Sequence, residues 1–479
     1  MGNEKNVVKS IPLKNDDLSE WYTQVCLRAQ LVDYAPVRGC IVLRPYGYAI
    51  WELVQSQFDR RFKATGHQNA YFPLLIPESL LVREAQHVEG FAPEVAWVTE
   101  GGSEKLTERL AIRPTSEAMV GTMYARWIQS HRDLPVLINQ WSNVMRWEKA
   151  TRPFLRTLEF LWQEGHTAHA TQAEAAQEVQ RMLEVYREVA EDVLAIPVIR
   201  GRKSDREKFA GATSTYAIEA LMPDGKALQT GTSHELGQNF ARAYDITFTD
   251  VDEQVKHAWT TSWGVSWRVL GGVIMVHGDD RGLLLPPAVA PHQVVIVPIP
   301  KKGDDTVIEA ARRLEAELST TARTLLDARG EQSAPWKFNE WEMRGVPLRI
   351  EIGPRDVAAG QITIARRDTL EKIAVPREEA ADRVTSLLAQ VQSSLLAKAR
   401  ADLEARSPAA DGKDRFIDEL RRQAGFVSAS WCERGQCEED IKNATGAVSR
   451  VIIGSAADGA RCVFCDNPAS VRAYFARSY

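Results

Sequence analysis

The stretch from Trp141 to His169, WSNVMRWEKATRPFLRTLEFLWQEGHTAH, constrains the chain most, because two apolar and aromatic segments flank a charged loop. The first segment, Val136 to Glu148, ends in Arg146-Trp147-Glu148; the second, Phe154 to His169, carries Arg156, Phe160 and Glu164 at four-residue steps. Alternate residues of a strand share a face, so an antiparallel hairpin points Arg146 and Glu148 one way and sets Arg156, Phe160 and Glu164 on one side. If the two sets coincide, one surface holds guanidiniums, carboxylates and an aromatic plane. That is equipment for gripping a nucleotide, with forked cations for phosphate and a ring for a base. The alternative is a strand pair with solvated charges outside and aromatics in the core. Local pattern leaves both open.

At 479 residues the chain is too long for one ordinary domain, and two or three are expected. Lys+Arg of 59 against Asp+Glu of 64 gives a net charge of −5, so a nucleic-acid partner has to be met by a local basic patch. The start, MGNEKNVVKS, lacks the apolar core of a signal peptide, and Asn6 stands where a myristoylation motif wants Ser or Thr. No apolar run reaches the roughly 20 residues that span a bilayer. A cytoplasmic protein is expected.

Of six cysteines, Cys26 and Cys40 have no partner pattern and read as buried or inert thiols. Cys432 and Cys437 form C-x4-C, and after 24 residues Cys462 and Cys465 form C-x2-C. Two thiolate pairs at such spacings are a strong signal for tetrahedral zinc. The region contains no His, and a closed set of four cysteines is structural, since catalytic zinc keeps an open position.

Along the chain, residues 44–65 predict a helix with Ile50, Trp51, Val54, Phe58 and Phe62 as one stripe and Gly66 as its stop. In HQNAYFPLLIP, Pro73 belongs at a strand edge or bulge, which suits either a second subunit or a cover within one subunit. LAIRPTSE reads as an N-cap before a helix over 116–130, or as a polar loop presenting a hydroxyl and a carboxylate to a ligand amine. Thr171 to Ala195 is helical, ended by Pro197, and 201–212 reads as a solvated loop. In ALQTGTSHELGQNF, Thr232 and His234 share a face, and Gln229 joins them only if Gly231 marks a bulge. SWGVSWRVLGG places Arg268 after a glycine-containing turn, with small residues that let a helix pack tightly.

Prolines between Pro286 and Pro291 mark a boundary. QVVIVPI as a buried strand, a helix over about 307–328, strands at 347–352 and 361–366 and a helix over about 377–404 make an alternating α/β unit. Arg349, Arg355, Arg366 and Arg367 concentrate charge there, either as solvated surface or as a strand face for single-stranded RNA.

These segments occur in an order that resembles the class II aminoacyl-tRNA synthetases, and within them the prolyl enzymes of the archaeal/eukaryotic-like type, over nearly the whole chain after about residue 15. FKATGHQNAYFPLLIP looks like motif 1, VMRWE with RTLEFLWQE like motif 2, and GVSWR like motif 3. RPTSE, EKFAGA, QTGTSHELGQNF, HGDDRGLLLPP and the cysteine pairs are similar to stretches particular to the prolyl subtype. The resemblance implies an α+β catalytic domain (1–286) built on an antiparallel sheet flanked by helices. An α/β anticodon-binding domain (287–404) and a C-terminal zinc-binding α+β domain (405–479) would follow. Only about 60 residues separate the hairpin from QTGTSH, too few for the large editing insertion of typical bacterial prolyl enzymes.

By the same resemblance the chain ligates L-proline to tRNA(Pro) through a prolyl-adenylate, as a homodimer joined at motif 1. Arg146 and Arg268 would be catalytic. ATP would be held by Arg146, Glu148, Arg156, Thr157, Phe160, Gln229, Thr232, Ser266 and Arg268, with Mg²⁺ on its phosphates. Proline would be held by Thr115, Glu117, Arg146, Trp162, Phe209 and His234. Glu351 and Arg355 would meet the anticodon, and Cys432, Cys437, Cys462 and Cys465 would hold Zn²⁺. Nearest alternatives are a synthetase for another amino acid, a synthetase-like RNA-binding protein without activity, and a ligase that charges a non-tRNA acceptor.

Overall fold

A computed structural model describes residues 11–87, 94–301, 305–423 and 425–479. The readings made on Met1, Gly2 and Asn6 lie outside the described residues. Helix α1 (Pro45–Ala64) begins with a proline at its first turn and buries Ile50, Trp51, Val54, Phe58 and Phe62, as its stripe predicts. Gly66, at φ +91°, turns the chain out of it into strand β1 (Gln68–Asn69). Pro73 follows β1 at the sheet's end, where a missing N–H costs no ladder bond. Helix α2 (Glu117–Trp127) is shorter than 116–130.

The central hairpin pairs β2 (Val136–Met145) with β3 (Glu159–His169), from Val136↔Ala168 to Met145↔Glu159. Its strands stop earlier than the pattern suggests. Pro153 has no N–H to give a ladder, and Phe154 takes φ +57°. The chain therefore folds back at Arg152 and Arg156, which exchange backbone hydrogen bonds of 2.7 and 3.0 Å. Arg146, Glu148 and Arg156 lie in this loop, so alternation does not govern them; Phe160 and Glu164, on β3, obey it.

Helix α3 (Gln172–Glu188) opens with a Thr171/Glu174 capping box. Strands β4 (Val198–Arg202), β5 (Ser214–Leu221), β6 (Ala227–Gly237) and β7 (Trp259–Ser266) follow, then helix α4 (Arg268–His277). Gly264 lies inside β7 and not in a turn, so Arg268 follows a strand directly. The close packing expected of the glycines does occur: a Cβ on Gly271 would come within 2.5 Å of Leu155. The solvated-loop reading of 201–212 holds for Asp205, Arg206 and Glu207, which are exposed, but not for Lys203 and Ser204, which are buried.

The next unit holds β8 (Val294–Pro298), α5 (Thr306–Leu318), β9 (Thr324–Leu326), β10 (Leu348–Ile352), β11 (Gln361–Arg366), β12 (Lys372–Pro376) and α6 (Ala380–Ala405). Helix α5 ends ten residues before the expected 328, because Ser319, Thr320 and Thr321 turn the chain into β9. The sheet order is β9-β8-β10-β11-β12, parallel at β8 and antiparallel beyond β10. Helix α6 covers it with Val384, Leu387, Leu388, Val391 and Leu395.

The last segment adds β13 (Val427–Trp431), α7 (Gly435–Thr445), β14 (Val448–Ser455) and β15 (Val471–Ala476). These strands continue the main sheet, and among the described residues its order is β13-β15-β14-β4-β5-β6-β7-β3-β2-β1. Neighbours run antiparallel except β1 on β2. No helix among the described residues is long and apolar enough to cross a membrane.

Candidate active site

A cavity of about 370 Å³ opens on one face of the main sheet, over β3, β6 and β7. Phe160, Trp162, Glu164 and His166 line it because they are alternate residues of β3. On β6 the register passes from Ile218↔Gly231 to Glu219↔Gln229, leaving Thr230 as an extra residue. This bulge falls on Thr230 and not on Gly231, which pairs with Ile218; it turns Gln229 onto the face of Thr232 and His234, and all three line the cavity.

All six residues expected to hold proline meet here: Thr115, Glu117, Arg146, Trp162, Phe209 and His234. The Thr115 hydroxyl donates to Glu117 Oε2 at 2.5 Å. Ser116 occupies the N-cap position of α2 but does not cap it. Instead its hydroxyl donates to Glu164 Oε1 at 2.5 Å and its N–H to Glu164 Oε2 at 3.1 Å, so the TSE turn is tied to the hairpin. The polar-loop reading of RPTSE therefore describes its side chains, and the N-cap reading describes only its backbone.

Arg146 Nε donates to Pro114 O at 3.0 Å, and its guanidinium lies 5.4 Å from the ring centroids of both Phe160 and Trp162. Burial pulls its pKa below the usual arginine value, and Glu117, Glu164 and Glu148 oppose that shift. Among the described residues no carboxylate comes within 4 Å of it. His234 is the converse case: burial, then Arg146, push its pKa down to about 3, so the imidazole is neutral. Thr215 Oγ1 sits 3.0 Å from its Nδ1, and the Phe209 ring centroid is 4.7 Å away.

The residues expected to hold ATP run from this cavity into an adjoining cleft lined by Arg146, Glu148, Arg156, Thr157, Phe160, Ser266 and Arg268. Gln229 and Thr232 stay in the larger cavity, which Phe160, Ser266 and Arg268 also line. Arg268 Nε donates to Leu155 O at 3.0 Å; burial and the nearby Arg146 and Arg156 lower its pKa. Arg156 donates to Glu148 Oε2 at 2.7 Å, so this carboxylate faces a cation of its own loop. The Thr157 hydroxyl is buried without a partner, a polar group that a ligand can satisfy.

Pattern reasoning missed His166, Ser262, Thr215 and Glu207, all of which line the cavity. His166 shares the β3 alternation with Glu164, a signal present in the sequence. Its ring is 3.1 Å from Glu164; burial disfavours the charged form, yet the carboxylate raises its pKa. Ser262 has a buried hydroxyl without a partner, and nothing local in the sequence marks it.

The four sulfurs of Cys432, Cys437, Cys462 and Cys465 lie within 4.8 Å of one another, with 3.5 Å between Cys432 and Cys465 and 3.7 Å between Cys437 and Cys462. Four thiolates at about 2.3 Å from a tetrahedral zinc stand about 3.8 Å apart, so the donor set and its size fit that ion. Asn467 Nδ2 donates to Cys465 Sγ at 3.2 Å, a contact that orients the ligand.

In the five-stranded unit, where the sequence left solvated surface and a strand face for RNA both open, three of the four arginines are instead paired. Arg349 bonds Glu342 and Glu351, Arg366 bonds Asp368, and the buried Arg367 bonds Asp279. Of the two anticodon candidates, Glu351 is held by Arg349 and Lys372, whereas Arg355 is exposed at the start of a short helix (Pro354–Ala359).

An antiparallel sheet with arginines lining a cavity of about 370 Å³, followed by an α/β unit, is the arrangement expected of a class II aminoacyl-tRNA synthetase. The family model "tRNA synthetase class II core domain (G, H, P, S and T)" matches residues 97–277 and "Anticodon binding domain" matches 293–387. "Prolyl-tRNA synthetase, C-terminal" matches 413–479. The chain is 55% identical to "Proline--tRNA ligase" of Natranaerobius thermophilus, covering 100% of this chain and 99% of that protein. It is 53% identical to "Proline--tRNA ligase" of Alkaliphilus oremlandii, over 99% of both chains. It is 52% identical to "Proline--tRNA ligase 2" of Clostridioides difficile, covering 100% of this chain and 99% of that protein. The chain belongs to the prolyl-tRNA synthetase family.

Proposed function

We propose that the chain ligates L-proline to tRNA(Pro) in two steps, as a proline--tRNA ligase. Proline's carboxylate attacks the α-phosphorus of ATP, expelling pyrophosphate and giving prolyl-adenylate. A terminal ribose hydroxyl of the tRNA then takes the prolyl group and releases AMP. Neither step needs a protein nucleophile; both depend on positioning and charge stabilisation.

The observation that carries this reading is the pair of guanidiniums, Arg146 and Arg268, which line one cavity with the Thr115–Glu117 dyad and, among the described residues, have no carboxylate within ion-pair distance. Arg146 would bridge the proline carboxylate and the α-phosphate. Arg268 and Arg156 would hold the remaining phosphates, with adenine between Phe160 and Arg268. Thr157, Gln229, Thr232, Ser266 and Glu148 would complete the nucleotide site, and Mg²⁺ would ride on the phosphates. Glu117 and Thr115 would receive the secondary ammonium, and Trp162, Phe209 and the neutral His234 would close on the ring. A protonated imidazole would repel that ammonium, so the depressed pKa of His234 suits the ligand.

The four cysteines are assigned to structural zinc, and dimerisation to the surface around α1 and β1. Arg355, with Glu351, is assigned to the anticodon and the protein to the cytoplasm. The chain is assigned no editing activity in cis. The test is amino-acid-dependent pyrophosphate exchange across all twenty amino acids, then charging of tRNA(Pro). Exchange strongest with proline and transfer to that tRNA are expected; exchange led by another amino acid, or none, overturns the reading.

A further inference from the structure

Two of the four cysteines are followed immediately by glutamates that reach into the catalytic sheet. Glu433, after Cys432, takes a left-handed φ of +56° and pairs with Arg202 at the end of β4. Glu438, after Cys437, is buried; its Oε1 accepts from Ser204 Oγ at 3.1 Å, from Ser449 Oγ at 2.5 Å and from Ser449 N at 3.3 Å. Beside it, Arg206 pairs with Glu439 and donates to Gly435 O at 3.2 Å. The segment 203–209 is thus held on one side by the backbone that the cysteines gather.

On its other side this segment is a wall of the cavity. Ser204 O accepts from Glu207 N at 3.1 Å and from Lys208 N at 2.9 Å, so the turn that presents Glu207 starts at the residue Glu438 holds. Phe209 N donates to Thr215 Oγ1 at 2.9 Å, the same hydroxyl that contacts His234. Underneath, buried Glu219 binds both Lys203 (2.6 Å) and Arg450 (2.9 Å), tying β4 and β5 to β14.

We propose that the four-cysteine module is a positioning device for the amino-acid pocket. Glu438 is its principal positioning residue, acting on Phe209 and Glu207 through Ser204. The proposal rests on the reading of this pocket as the proline site. It follows that a metal remote from the reacting atoms governs how well the enzyme holds proline, and leaves ATP largely indifferent.

The test uses full-length, zinc-loaded protein in proline- and ATP-dependent pyrophosphate exchange. Glu438→Ala is expected to raise KM for proline about tenfold, the loss of one or two hydrogen bonds' worth of order, with KM for ATP within about twofold. Glu438→Gln keeps an acceptor for Ser204 and is expected to restore the wild-type value. Equal rises for both substrates, or no rise, overturn the proposal. An independent readout is amide hydrogen exchange, which should quicken in the 203–213 peptide of Glu438→Ala and of chelator-treated wild type, with β6 and β7 unchanged. Unchanged exchange in that peptide also overturns it. Should Glu438→Ala fail to fold, Arg206→Ala removes the exposed half of the clamp and must shift KM for proline in the same direction. If wild type shows no saturation with proline, the function assigned above fails first, and the hydrogen-exchange result still decides the clamp.

Discussion

In the cavity on the main sheet, Arg146 and Arg268 each anchor to a backbone carbonyl, Pro114 and Leu155, and among the described residues meet no carboxylate at bonding distance. In the five-stranded unit, Arg349, Arg366 and Arg367 each rest on carboxylates at 2.5–2.9 Å. The two sets look alike in sequence. A guanidinium that lines a cavity, anchored by a backbone carbonyl and without a counter-ion from its own chain, is available to an anionic ligand. Arg349 and Arg367, buried and neutralised by their own chain, are scaffold, whereas Arg156, although paired with Glu148, is exposed at the cleft. Free charge at a cavity marks the site, and buried paired charge marks the frame.

The sharpest break in that comparison is Arg268→Ala, which should lower proline-dependent pyrophosphate exchange by about a thousandfold through lost phosphate stabilisation. Because no ion pair is broken, its thermal midpoint should stay near wild type; a large fall would class Arg268 with the frame. Lys203→Met is the opposite experiment. It strips one of two cations from buried Glu219 and should cost about 3 kcal/mol in urea unfolding, since a buried carboxylate loses compensation. A change near zero would mean that Arg450 alone suffices.

Arg355→Ala should raise KM for tRNA about tenfold and leave adenylate formation untouched, in line with the loss of one exposed phosphate or base contact. Equal loss in both assays would count against its assignment. The smallest effect near neutral pH comes from His234. Its folded pKa of about 3 lies below the roughly 6.5 of an unfolded histidine, so its contribution to stability is complete above pH 6.5 and fades as pH falls toward 3. Unfolding free energies measured from pH 7 to 4 should drop less steeply in His234→Asn than in wild type.

Much of this was readable from one sequence. The stripe of α1 and the alternation of β3 are periodic signals that burial enforces, and both were met by the structure. The bulge that brings Gln229 beside His234 was readable as a condition, because parity alone forbade the grouping. The hairpin loop was less readable: Pro153 and Phe154 break the ladder, and Arg146 reaches the cavity through a carbonyl anchor that no pattern encodes. Partner identity was the least readable. Nothing near Arg366 or Arg367 in sequence separates them from Arg146; Asp279, which neutralises Arg367, is 88 positions away. Lys203 was read as solvated for the same reason, since Arg450 and Glu219 come to it from distant strands.

The most direct test sets proline-dependent pyrophosphate exchange by Arg146→Ala beside the same assay on Arg366→Ala. The account predicts a loss of at least about a thousandfold for the first, with its circular dichroism intact, and a rate within about twofold of wild type for the second. Comparable rates for the two variants would contradict it.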